Sequence, residues 1–283
     1  MTRAIIAGVD GSAPSLQAVR WAAEEAVIRG APLRLVHATS RWTYDVPLIP
    51  QPPSWTVDAE AAVGEMLRQA AQEARAGRPK LEVTTEILDG GAQDALVAAA
   101  EGAELIVVGS RGRGGFAELL LGSVSRHVAA RSPCPVAVIR RSPAGDRGEI
   151  AVGIAEGRGQ ERLLDFSFRE AALRRATLRA VHAWVHPATR APGDMQPLVY
   201  DVEGIGQEEA RLLAEAVAGW REKFPDVTVS EQVVHEHAAK ALVEASREVD
   251  LVIVGAHGGI LDLGGTVHAV LHHASAAVIV VRP

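Results

Sequence analysis

Short, almost uninterrupted apolar runs alternate with longer amphipathic ones along the whole chain. In the first half, residues 4–9, 33–38, 81–88, 105–109 and 136–140 read as strands. Most are continuously apolar, which predicts strands covered on both faces rather than half-solvated ribbons. Between them, residues 16–29, 58–76, 92–100 and 124–131 have helical spacing and composition. Ser12 and Pro14 mark a helix start, a capping oxygen ahead of a residue whose φ is already helical. This βαβαβαβαβ order predicts a parallel sheet with right-handed crossovers, doubly wound. Such sheets hold ligands beyond the strand C-termini, where the strand order reverses.

The pattern is written twice. Leu33-Arg34-Leu35-Val36-His37-Ala38 recurs as Leu178-Arg179-Ala180-Val181-His182-Ala183, 145 residues later. Leu105-Ile106-Val107-Val108-Gly109-Ser110 recurs as Leu251-Val252-Ile253-Val254-Gly255-Ala256, at an offset of 146. Val136-Ala137-Val138-Ile139-Arg140 recurs as Val278-Ile279-Val280-Val281-Arg282, at 142. A repeat this long is a whole domain, not a solenoid unit. The expected fold is therefore α/β, two tandem doubly wound five-stranded parallel-sheet domains of Rossmann-like type. They span residues 1–143 and 149–283, joined by a polar Gly/Pro segment. A length of 283 residues accommodates two such domains.

Composition narrows the function. At 48% hydrophobic and 23% charged residues the chain is built to fold. A net charge of −6 and 4% aromatics argue against a nucleic-acid partner, which calls for a basic footprint or stacking platforms. The single cysteine, Cys134, excludes an intramolecular disulfide and a cysteine-based zinc site. No apolar run approaches the ~18 residues of a membrane span, and the N-terminus does not read as a signal peptide. A cytoplasmic protein without a membrane partner is the expectation.

Candidate chemistry lies just beyond the fourth strand. Gly109, Gly112, Gly114 and Gly115 fall within seven residues, and Gly122-Ser123 follows ahead of a helix. Glycine lets backbone approach a ligand closely, and the first turn of a helix offers N–H groups and a positive dipole end to an anion. The Ser123 hydroxyl is placed to cap that helix and to donate to a phosphate. This is neither a Walker A loop nor a dinucleotide fingerprint. The chain has only Lys80, Lys223 and Lys240, none of them in the loop, which disfavours lysine-assisted phosphoryl transfer.

These residues resemble the universal stress protein family. Gly109, Gly112, Gly122 and Ser123 fit its Gly-x2-Gly-x9-Gly-Ser pattern, and Gly8-Val9-Asp10-Gly11-Ser12 and Val36-His37-Ala38 match its strand ends. The resemblance covers nearly the whole chain, in two copies. It implies ATP as ligand, with Mg2+ on the phosphates. By it, Asp10 and Ala38 stand on the adenosine side. Gly109 and Gly112 line the ribose and phosphates, and Gly122, Ser123 and Val124 hold phosphate oxygens. Gly8, Val108, Arg111 and Arg113 complete the implied set.

The second copy departs from this pattern. Ala155 stands where Asp10 does, and Gly258 to Gly265 leaves six residues between against nine. Asp262 adds negative charge, and Arg111 and Arg113 lack cationic counterparts. Gly153, Ala183, Gly255, Gly258, Gly265 and Thr266 are left as a weaker second site. Residues 1–145 carry 15 basic and 15 acidic side chains, and residues 146–283 carry 14 and 20. Eight of the ten histidines lie in the second half. His268 and His272 share a helix face with His273 beside them, and His235 and His237 flank Glu236. Histidines so spaced suit metal binding or pH sensing. With no HExxH they read as scattered surface and strand-end residues, and no metal ligand is assigned.

Residues 40–57, with Pro47, Pro50, Pro52 and Pro53, form a loop long enough to cover a site. The resemblance implies edge-to-edge pairing of the last strands, 136–140 and 278–282, within the chain, and a homodimer beyond it. Three functions stay open: an ATP-binding stress-response or regulatory protein, a slow ATPase or nucleotidyl transferase, and a nucleotide-independent scaffold. No catalytic residue is assigned.

Overall fold

Ser12 does begin a helix. In the computed structural model its side chain accepts from Ser15 N at 3.3 Å, and Pro14 sits in the first turn. The helix, α1 (Ala13–Arg29), ends on Gly30 in the left-handed region. Ser15, Ala18, Val19, Ala22 and Ala26 recur at three- and four-residue spacing and form its buried face. The structure describes residues 3–39, 53–112, 121–140, 147–155, 157, 159–185, 201–256 and 263–283, with the side chains of 53–59 left aside.

The chain divides into two compact units, Met1–Ser142 and Pro143–Pro283. The first continues with β1 (Ile5–Gly8), β2 (Leu33–Thr39), α2 (Pro53–Arg75), β3 (Val83–Asp89) and α3 (Ala92–Ala99). It is completed by β4 (Leu105–Gly109), α4 (Ser123–Arg131) and β5 (Val136–Ile139). Its strands pair in parallel in the order β3-β2-β1-β4-β5. The reversal of direction therefore falls between β1 and β4. Helix α2 starts at Pro53, inside the stretch that the sequence reads as loop, and residues 40–52 lie outside the described residues.

The second unit repeats this as β6 (Glu149–Ile154), α5 (Gln160–Arg174), β7 (Thr177–Trp184), α6 (Val202–Lys223) and β8 (Val229–His235). Then come α7 (Ala238–Ala245), β9 (Leu251–Gly255), α8 (Gly265–His273) and β10 (Ala277–Val281). The order is β8-β7-β6-β9-β10, again parallel. Ile5 pairs with Leu33 as Ile150 pairs with Leu178, so the offset of 145 holds as strand register.

Ile5, Ile6, Leu105, Ile106, Ile150, Val152, Val252 and Ile253 are at most 1% exposed. Burying each such side chain is worth roughly 1.5–3 kcal/mol. The coverage on both faces expected of most strands does not extend to β3 and β8, whose residues are mostly exposed or half-buried. The helix packing also differs between units. Phe168, Trp220 and Phe224 stack with ring centroids 5.7–6.3 Å apart in the second, where the first has Ala23, Ala74 and Arg78.

Candidate functional site

Three strand ends and one helix start converge in the first unit. Gly8 ends β1 and Val9 and Asp10 follow it, Val36 to Ala38 lie at the end of β2, and Val108, Gly109, Arg111 and Gly112 lie at the end of β4 and just beyond it. Together with Gly122, Ser123 and Val124 at the start of α4 they line one cavity of about 510 Å3. The cavity lies where the strand order reverses, and its volume falls in the ~300–1,000 Å3 range of small-ligand sites. Every sequence-chosen residue of the first copy lines it except Arg113, which lies outside the described residues.

Hydrogen bonds fix the wall. Asp10 Oδ1 accepts from Ser12 N at 2.9 Å, so the carboxylate is held at the mouth of α1. Ser15 Oγ donates to Ser12 O at 2.9 Å and accepts from Asp10 N at 3.4 Å. His37 Nδ1 donates to Val9 O at 2.6 Å, tying β2 to the chain leaving β1. The buried Ser125 Oγ donates to Gly109 O at 2.6 Å, and Gly122 N donates to Ser110 O at 2.7 Å. These last two bonds clamp the first turn of α4 onto the end of β4.

Two glycines are there because backbone needs the room. A Cβ on Gly109 would stand 2.7 Å from the Pro14 carbonyl carbon and oxygen. A Cβ on Gly112 would collide with Asp10 Oδ2, so the loop backbone runs against the carboxylate. The result is a donor-rich cradle beside one carboxylate, suited to a ligand with hydroxyls or an amine at one end and an anion at the other.

The reading of Ser123 as the cap is corrected. Gly122 is the N-cap of α4 and Ser123 is the first helical residue, with no side-chain cap bond at the position. The loop pattern also passes over Ser15, His37, Leu96 and Ser125, which line the same cavity. Two of these carried a signal: Ser15 is three residues past Ser12 and Ser125 three past Gly122, the spacing of side chains that fold back on a first turn.

The second unit has its own cavity, about 320 Å3, lined by Gly153, Ala155, Ala183 and Gly255 with Gly264, Gly265 and Thr266. Gly258 and Asp262 lie outside the described residues. Here the sequence matching needs a second correction. Helix α8 starts at Gly265 behind the N-cap Gly264, and β10 is in register with β9 at an offset of 142 from β5 on β4. Gly264 therefore matches Gly122, Gly265 matches Ser123, and Thr266 matches Val124. Five residues separate Gly258 from Gly264, so the loop is four residues shorter than in the first unit, not three. Val267 replaces Ser125, and Ala256 replaces Ser110. His182 Nδ1 keeps the strand-end bond to Ile154 O at 3.1 Å, and its Nε2 lies 2.7 Å from Glu209 of α6.

The sequence profile of the universal stress protein family matches residues 1–140 and again 147–282. A universal stress protein of Mycobacterium tuberculosis, Rv2005c, is 38% identical, covering 98% of this chain and 96% of its own length. Rv2623 of the same organism is 35% identical over 90% of this chain and 86% of its own. Among solved structures, a universal stress protein from Archaeoglobus fulgidus superposes with a TM-score of 0.73 at 18% identity. It covers 99% of this chain and 96% of that one. Among the described residues, no helix is long and apolar enough to cross a membrane.

Proposed function

The chain belongs to the universal stress protein family, and from that premise we propose that its first unit binds ATP, carrying Mg2+ on its phosphates, as the ligand of a stress-response regulatory protein. One observation supports this above the others: Asp10, the glycines after β4 and the first turn of α4 share one cavity of about 510 Å3. In this reading Asp10 accepts from the nucleoside end, beside Ala38. Gly109 and Gly112 bring backbone against the ribose and phosphates. Gly122, Ser123 and Val124 present N–H groups to phosphate oxygens, and Arg111 adds positive charge. Magnesium would neutralise phosphate charge.

Turnover is slow or absent in this reading. Asp10 is the one carboxylate among the described lining residues, and it is already held by Ser12 N. A general base or lysine beside the phosphates would be needed for the usual rates of ~1–10³ s⁻¹. The second unit, with Ala155 and the shorter loop, holds ATP weakly or not at all. Self-association of the chain belongs to the same reading, and sedimentation with and without ATP checks it.

Calorimetry of the intact chain with ATP and magnesium is the test. Saturable binding near one ATP per chain is expected, with loss in Gly122→Val, because a side chain there obstructs the approach of phosphate. Unchanged affinity in that variant, or two equivalent sites, overturns the assignment.

A further inference from the structure

Helix α8 carries a feature that its counterpart α4 lacks. His268 and His272 are one turn apart, and their rings stack at 4.3 Å between centroids with 30° between planes. His268 is exposed and His272 half-buried. The helix is anchored elsewhere: Val267, Val270 and Leu271 are at most 4% exposed. The backbone under the two rings is thereby fixed before any ligand arrives, which removes much of the ordering cost of binding.

Two imidazoles one turn apart on a rigid helix form a chelate. Zinc–nitrogen bonds of ~2.0–2.1 Å put two adjacent ligand nitrogens about 2.9–3.4 Å apart. Rings already at 4.3 Å reach that spacing by modest side-chain rotation. His272 occupies the last turn of α8. The negative end of the helix dipole favours a cation there. The acidic balance of residues 146–283, 20 carboxylates against 14 basic side chains, favours it further.

We propose that His268 and His272 together bind a divalent transition-metal ion on the outer flank of α8, with water completing its coordination. Imidazole suits Zn2+, Ni2+ and Cu2+, with Cu2+ tightest, and ill suits Mg2+, which takes oxygen ligands. The site is thus chemically distinct from the magnesium of a nucleotide and independent of the proposed ATP cavity. His273 belongs to the adjacent direction of the helix, its ring 6.2 Å from that of His272 and tilted by 46°. It is therefore not a ligand. The first unit carries Arg126 and Ala130 at the matching positions, so α4 shows that the helix folds without the pair.

The experiment uses the intact chain, free of any polyhistidine tag and stripped with a chelator. Calorimetric titration with NiCl2 and ZnCl2 should show one site per chain, and MgCl2 should not compete for it. His268→Arg and His272→Ala, each the residue of the first unit, should weaken Ni2+ binding about 100-fold, the usual return to a single ligand when a chelate is broken. His273→Ala should leave it unchanged. Circular dichroism confirms that each variant is folded, and the exposed His268→Arg carries the test if His272→Ala is not. Nickel affinity unchanged in His268→Arg, a loss confined to His273→Ala, or no binding by the wild-type chain below millimolar Ni2+ overturns the proposal.

Discussion

The cavity of the first unit has Gly8 and Gly109 at its floor with Asp10 and Ser125 beside them; that of the second has Gly153 and Gly255 with Ala155 and Val267. The strands beneath the two correspond residue for residue in register. Between the two cavities, what has changed lies past the strand ends and in the loop before the fourth helix. The sheet interior tolerates only apolar residues of similar volume, because a polar group there would be buried without a partner. The strand ends obey no such rule. One scaffold can thus carry a cavity of about 510 Å3 lined by a carboxylate and several serines, and one of about 320 Å3 with no carboxylate among its described lining residues.

The largest effect is expected in the core. Phe168 is fully buried against Trp220 and Phe224, where the first unit has Ala23. Phe168→Ala should destabilise the second unit by about 3–5 kcal/mol, since Trp220 and Phe224 are packed around a ring and cannot close the gap its loss leaves. Urea unfolding measures it, and a loss below ~1 kcal/mol would show that the two helix packings are interchangeable.

Next in size is the conversion of one cavity toward the other. Asp10→Ala removes a hydrogen bond to a charged group, worth about 1.5–3 kcal/mol, so ATP affinity should fall about 10- to 150-fold. The reverse change, Ala155→Asp, should not create a second site, because the loop there stays four residues short. A stoichiometry of two in Ala155→Asp would mean that the carboxylate alone separates the units.

Ser125→Val copies Val267 into the first unit and leaves Gly109 O without its 2.6 Å donor. A buried acceptor left unpaired costs roughly 1–3 kcal/mol. Thermal melting should show that loss, and ATP affinity should weaken with it, because the clamp between α4 and β4 is gone. A melting temperature unchanged alongside weakened binding would place Ser125 in the ligand's contacts instead.

The smallest effect concerns the turn after the first helix of each unit. Gly30 has φ of 60° and Arg175, at the same place, has φ of 52°. A side chain in that region costs about 1 kcal/mol, so Arg175→Gly should stabilise by up to that amount and Gly30→Arg should do the reverse. Opposite signs in the two melts confirm the equivalence of the turns; a shared sign breaks it.

Much of this was legible in the chain. Continuous apolar runs locate β1, β4 and β5 to within a residue, because buried parallel strands leave no other pattern. The edges were less legible. β3 reads as a strand from Leu81, yet it starts at Val83 and is largely exposed, as suits an edge strand. The first cavity could be assembled from glycine spacing, and at Gly109 the backbone of Pro14 leaves no room for a Cβ. His37 could not, since the tie from an imidazole at the end of β2 to Val9 O is visible only once the sheet is formed. In the second unit, aligning Thr266 with Ser123 misplaced the loop by one residue, and the helix cap on Gly264 decided the match.

The four residues missing between Gly258 and Gly264 cost folding almost nothing. Loop-closure entropy varies only with the logarithm of length, so going from nine intervening residues to five changes it by ~0.5 kcal/mol. For any ligand that needs the backbone donors of this loop, the same shortening takes four residues of them away. A chain with two copies can accept such a change in one while the other keeps its cavity. Selection on stability does not see the deletion, and selection on binding sees it in only one half. Loop length, more than any core position, is where the copies of a tandem protein of this kind are free to drift apart.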